Sequence, residues 1–277
     1  MVLDPQSLDI DQGASLTVEQ ALAHLQQRQD AGLRYYAAWW LGRFRVSTPA
    51  ALEALILALE DETEQAPDGS YPLRRNAARA LGKLGDRRVV PNLIQCLGCS
   101  DYYVREAAAQ ALETLGDERA IAPLRSLLAG GVAAAVPVAG KPHLVQPYNA
   151  IIEALGSLGD QPAVAEITPF LDHGLPQVQN AAARALYQLT GDSSYCQTLV
   201  DRLQAPDLQL RRSAMMDLGA IGYLAAAQPI AATPAENSLK LIALQGILES
   251  HLRAHRFPHQ PLSPPAHQVL ALMDDLL

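Results

Sequence analysis

Apolar positions recur along the chain in a fixed order. Six segments align without internal gaps: residues 33–44 (LRYYAAWWLGRF), 73–84 (LRRNAARALGKL), 104–115 (VREAAAQALETL), 147–158 (PYNAIIEALGSL), 178–189 (VQNAAARALYQL) and 210–221 (LRRSAMMDLGAI). Their first residues lie 40, 31, 43, 31 and 32 positions apart, so one short unit is repeated and twice enlarged. A weaker seventh copy ends at Leu244, Ile247 and Leu248. The first, fifth, ninth and twelfth columns are apolar, and this spacing places them on one face of a helix. They are expected to be packing residues and nothing more. A second helical pattern precedes each copy, as at Pro91, Leu93, Ile94 and Leu97, at Ile121, Leu124, Leu127 and Leu128, and at Val164, Ile167 and Leu171. Gly-Asp pairs at 85/86, 116/117, 159/160 and 191/192 separate the patterns. Glycine accepts the left-handed turn that ends one helix, and aspartate caps the next. Thr48-Pro49 and Thr233-Pro234 read as a cap followed by a first-turn proline. No stretch sustains period-two alternation.

These features predict stacked helical hairpins. A hairpin of this size cannot bury its apolar face alone, so its neighbours must supply the core. The expected fold is all-α, an α-solenoid of about seven helix pairs over residues 17–254, with a period near that of HEAT-like repeats. Residues 1–16 form an N-terminal tail. Residues 255–277 form a linker rigidified by Pro258, Pro261, Pro264 and Pro265, followed by a short amphipathic helix from about residue 266. The two enlargements, residues 60–71 and 129–147, fall at equivalent places between the helices of a pair. Loops on one edge of a solenoid suit either recognition of a partner or passive insertion.

Two further columns are polar in most copies. Column three holds Tyr35, Arg75, Glu106, Asn149, Asn180 and Arg212, and column seven holds Trp39, Arg79, Gln110, Glu153, Arg184 and Met216. They lie one turn apart, opposite the core, and are expected to line the concave surface. The first copy alone places Tyr35 and Trp39 there, and it also carries Tyr36 and Trp40 where other copies have small residues. Tyr36 and Trp40 suit a cover over an end with no further repeat. Tyr35 and Trp39 suit a planar, apolar ligand with polar edges. Arg34, Arg74, Arg105 and Arg211 share another column, with Arg75 and Arg212 beside them. A guanidinium fork at a helix start matches a carboxylate, although a salt-bridged surface would show the same residues.

Composition narrows the partners. Half of the residues are hydrophobic (49%), which excludes disorder, and no apolar run is long enough to span a bilayer. Residues 1–11 lack the basic-then-apolar order of a signal peptide, so a soluble cytoplasmic protein is expected. The formal net charge of −8 argues against nucleic acid. Three cysteines, Cys96, Cys99 and Cys196, are too few for a disulfide framework. Cys96-x-x-Cys99 lacks the further ligands of a metal site, and Pro258 breaks the helical spacing of His251, His255 and His259, so no metal is expected.

The run RYYAAWWLGRF at residues 34–44, followed by copies such as RRNAARALGKLGD and VREAAAQALETLGD, resembles the E subunits of the E/F-type phycobilin lyases of cyanobacteria. The resemblance covers essentially the whole chain, and YYAAWWL is its specific part. It implies a subunit that works with a homologous F-type partner to attach phycocyanobilin, through a thioether, to a cysteine of the phycocyanin α chain. Phycocyanobilin is then a bound substrate and no prosthetic group is needed. The residues expected to contact the bilin are Tyr35, Tyr36, Trp39, Trp40, Arg34, Arg74, Arg75 and Arg105, with Glu106 and Glu153 as candidate acids for protonating it. The competing readings are a non-catalytic HEAT-like adaptor and a bilin-handling protein of phycobilisome turnover.

Overall fold

A computed structural model describes residues 16–254 and 262–277. Seven helix pairs follow one another: α1 (Val18–Gln26) with α2 (Ala31–Arg43), α3 (Pro49–Glu60) with α4 (Pro72–Leu84), α5 (Val90–Cys96) with α6 (Tyr102–Leu115), α7 (Ile121–Ser126) with α9 (Tyr148–Ser157), α10 (Val164–Ile167) with α11 (Pro176–Thr190), α12 (Ser194–Arg202) with α13 (Leu208–Ile221), and α14 (Ala227–Ala232) with α15 (Asn237–Ala254). The short α8 (Gly131–Ala134) lies in the second insertion, and α16 (Pro264–Asp274) closes the described chain. The all-α solenoid is as expected. Residues 1–15 of the predicted tail and the linker prolines Pro258 and Pro261 lie outside the described residues, as do His255 and His259. Ser263 caps α16, whose Val269 and Ala266 are buried against the last pair.

Local signals act where the repeat places them. Gly85 and Gly116 take positive φ after α4 and α6, and Asp86 and Asp117 accept from backbone amides two residues on. Thr48 caps α3. Two expectations differ. Asp160 makes no cap; it is buried and pairs with Arg125 at 3.4 Å. Thr233 ends α14 instead of opening α15, its buried hydroxyl donating to the Pro229 carbonyl.

Columns five and nine are completely buried in all six aligned copies, from Ala37 and Leu41 to Ala214 and Leu218. Each such leucine contributes roughly 2 kcal/mol by leaving water. Column one is buried from Leu73 to Val178, column twelve alternates between half-buried and buried from Leu84 to Leu189, and both are open at the start of the array, where Leu33 and Phe44 are exposed. Packing alone therefore does not account for those two.

The second helices of the pairs (α2, α4, α6, α9, α11, α13, α15) pack against one another in series. Four of these six steps are set by one rule. A glycine in column ten meets an alanine in column eight of the next copy: Gly42 on Ala80, Gly82 on Ala111, Gly156 on Ala185 and Gly219 on Ala243. A Cβ on any of these glycines would stand 2.6–2.8 Å from the alanine Cα, so the helices touch through their backbones. This close layer is the inner, concave side of the curve. At the other two steps column ten is Glu113 or Tyr187, and the contact between α6 and α9 and between α11 and α13 is markedly sparser.

Candidate functional site

The first helix of the concave layer carries an aromatic ledge. Trp39 and Tyr36 are about half exposed and stack with centroids 5.6 Å apart, and Tyr35 is half-buried beside them. Trp40 differs. It is buried, and its ring packs on Phe44 at 4.8 Å. Column eight is where a preceding second helix would press, and among the described residues α2 has none, so an indole fills the space that alanine leaves open elsewhere. Trp40 is thus the end cover and is withdrawn from any ligand, whereas Tyr36, the other expected cover, stands open.

The arginine column requires a larger correction. Arg34 donates to the Leu25 carbonyl and pairs with Asp61 at 2.9 Å and with Glu64. Arg74 pairs with Glu62 at 3.2 Å and lies over the Tyr71 ring. Arg105 donates to the carbonyls of Cys99, Ser100 and Val145 and to Gln146. Arg211 repeats that pattern on Ala205, Pro206 and Pro234. These guanidiniums bind the loops of their own pair and the next one, where helix ends leave carbonyls without partners. Arg34 and Arg105 do not offer a free fork to an outside carboxylate, and Arg74, whose Nε has no partner among the described residues, is buried.

The available cations lie one column over. Arg75, Arg79 and Lys83 follow at four-residue spacing along the concave face of α4, and none makes an ion pair among the described residues. Arg75 Nε is buried without a partner, and its guanidinium rests 5.8 Å from the Tyr103 ring centroid. Arg79 and Lys83 border a cleft of about 380 Å³ between α4 and α6. From the sequence, Arg75 is an expected bilin contact and Arg79 lies in a column expected to line the concave surface without being assigned to the bilin, while Lys83 does not stand out. Their regular spacing was the available signal.

Acid dominates the next helices. Burial pushes the Glu106 carboxyl up, opposed by the charges of Arg79, Arg75 and His143. Further along, Arg184 Nη1 contacts Glu153 at 3.2 Å and Asp217 at 3.6 Å, while Nη2 binds Glu113. The four side chains come from α11, α9, α13 and α6 and are 10–19% exposed. One guanidinium cannot balance three carboxylates in such a place. Burial first, then its acidic neighbours, raises Glu153, and burial likewise raises Asp217. Glu113 and Asp217 had a readable signal, since they replace the glycine of column ten and the alanine of column eight.

The insertions meet at the start of α6. In the second, Val138 donates to the His143 carbonyl and Val145 to Val136, folding the loop back on itself. His143 stacks on Tyr102 at 4.2 Å, with Tyr103 edge-on at 5.8 Å. Asp68 of the first insertion and Lys141 of the second face the same cleft, about 660 Å³ in volume. Cys96 is buried and Cys99 half-buried, and among the described residues no group of His, Cys, Asp and Glu could hold a metal ion. His251 meets Ser263 Oγ at 2.7 Å. Among the described residues no helix is long and apolar enough to cross a membrane.

Family models agree with the repeat. Residues 63–136 and 147–232 match HEAT repeats, and residues 33–61 match the PBS lyase HEAT-like repeat. The phycocyanobilin lyase subunit alpha of Synechocystis sp. PCC 6803 is 62% identical over 94% of this chain and 96% of its own length. The chain belongs to the phycocyanobilin lyase alpha-subunit family. Bilin biosynthesis protein PecE of Nostoc sp. PCC 7120 is more distant, at 42% identity over 95% of this chain and 96% of its own length. In the solved complex of CpcE and CpcF of phycocyanin lyase from Nostoc sp. PCC7120, a chain 56% identical superposes with a TM-score of 0.88, covering 99% of this chain and 100% of that one. The residues of the run YYAAWWL are those of the aromatic ledge and its end cover on α2.

Proposed function

We propose that this lyase subunit holds phycocyanobilin along its concave face, with an F-type subunit as partner, and presents it to a cysteine thiol of the phycocyanin α chain in the cytoplasm. The observation that carries this reading is the sorting of that face: aromatic on α2, basic on α4, acidic from α6 to α13. A bilin has the matching parts. Its conjugated strip offers ring faces to Tyr35, Tyr36 and Trp39. Its two propionates suit Arg75, Arg79 and Lys83. Its pyrrole nitrogens take up a proton, and the protonated pigment is the better electrophile at C3¹. Glu106 and Glu153, with raised proton affinity, supply or stabilise that proton. Holding the pigment extended against the incoming thiolate accounts for much of the expected acceleration.

The test is to co-express the chain with an F-type subunit, the phycocyanin α chain and a phycocyanobilin source, and to read covalent pigment as zinc-enhanced fluorescence on a denaturing gel. A fluorescent α chain is expected. A dark band, where a known lyase pair gives a bright one, overturns the reading.

A further inference from the structure

Thioether formation needs a thiolate, and none of the residues assigned above to the pigment takes a proton from a thiol. We infer that His143 Nε2 is the base that deprotonates the acceptor cysteine, and that the cleft between the two inserted loops admits that cysteine. The inference rests on the lyase reading and assigns its second substrate a place.

Three observations lead there. First, His143 Nδ1 lies 2.8 Å from the Leu144 carbonyl, which only accepts, so the proton of the neutral ring is on Nδ1. That leaves the lone pair on Nε2, which has no hydrogen-bond partner among the described residues. Second, the ring is held in place. It lies flat on Tyr102, with an interplanar angle of 12°, and edge-on to Tyr103 at 81°. A base fixed by stacking on a helix meets the geometric demand of proton transfer better than one on a free loop. Third, the position joins two spaces. Tyr103 lies under the Arg75 guanidinium, at the start of the stripe that continues through Glu106 and Gln110 into the pigment groove. The other side of His143 borders the cleft of about 660 Å³, which has room for a side chain presented by another protein.

The charged and titratable groups around the ring come from four segments. They are Arg105 and Glu106 with both tyrosines on α6, Asp101 at its N-cap, Arg75 on α4, Lys141 on the same loop, and Asp68 on the facing loop. Burial pushes Tyr102 up to about 12, so it remains a neutral phenol and does not compete as a base. The reaction balances without an added reagent. Nε2 takes the thiol proton, sulfur bonds to C3¹, the C3=C3¹ double bond becomes single, and the imidazolium returns the proton to C3. The net change is addition of S–H across one double bond, with no change of oxidation level.

The experiment uses the complete system of both subunits, the α chain and phycocyanobilin. His143→Phe keeps the stack and removes the base. It is expected to bind pigment as the unmodified protein does, by absorbance, and to attach it about 100-fold more slowly or worse. The acidic limb of the pH–rate profile that a histidine base imposes should vanish, and added imidazole should restore attachment to His143→Ala. Attachment by His143→Phe at the original rate and pH profile overturns the inference while leaving the lyase reading standing. So does a slow His143→Ala that imidazole does not rescue while its acidic limb persists. An unmodified system that attaches nothing removes the lyase reading and this inference together.

Discussion

Arg184→Met tests whether charge holds the centre of the concave face. The side chain is 12% exposed and touches Glu113, Glu153 and Asp217, themselves 10–19% exposed. Methionine keeps the length and removes the cation, so the fully ionised cluster goes from two uncompensated charges to three. Removing one partner from a buried ion pair costs about 3–5 kcal/mol, and that range is expected here at neutral pH and above. The pH dependence follows from the direction of the shifts. Glu153 and Asp217 have raised folded-state values, so over a window above the ordinary carboxylate range the folded chain keeps protons that the unfolded chain has lost. Stability therefore falls as pH rises through that window, by at most about 1.4 kcal/mol per pH unit for each proton, and levels off above the folded values. Without Arg184 those values rise further. The deficit of the variant should be largest at high pH and should shrink toward pH 5, as the carboxyls take up protons. Urea unfolding midpoints from pH 5 to 9, converted with a common slope, measure this. Adding Asp217→Asn should recover part of the loss. A deficit that is the same at every pH would refute the charge argument and leave Arg184 as a packing residue.

Three further outcomes are expected. Trp39→Ala should weaken phycocyanobilin binding about three- to tenfold in an absorbance titration, the loss of one aromatic stacking contact, with little change in melting temperature; a large drop in melting temperature would place the indole in the core despite its 46% exposure. Arg75→Ala should weaken pigment binding and reduce its salt dependence without affecting stability, whereas Arg105→Ala should leave binding unchanged and lower stability by about 2 kcal/mol, because four acceptors lose their donor; exchanged results would restore the original arginine column as the anion site. Gly82→Ala should lower the melting temperature, because overpacking against Ala111 costs about 1–3 kcal/mol against a helix-propensity gain of about 1 kcal/mol; a rise would mean that the two helices part freely.

The repeat was legible because its cause is local. Columns five and nine are set by helical spacing, and so the pairs, their order and their core could be read directly. The aromatic ledge was legible as an exception to its own column. The fate of Arg34, Arg74 and Arg105 was not, because their acceptors lie in loops and at a helix end 5 to 41 residues away and column membership says nothing of where a long side chain ends. His143 was visible as a residue in an insertion. Its neighbours Tyr102 and Tyr103 come from a different helix, and only the folded loop brings the three rings together.

The missing glycines divide the array mechanically. Where glycine meets alanine, backbones are in contact and the step cannot close or slide. This makes α2–α4–α6, α9–α11 and α13–α15 three stiff blocks. Between them lie two joints, and both are crossed by the Arg184 network, from Glu113 on α6 through Glu153 on α9 and Arg184 on α11 to Asp217 on α13. Steric fit fixes the blocks, while electrostatics latches the joints. Proton uptake by Glu153 or Asp217, or any positive charge delivered beside them, changes the charge balance at both joints at once.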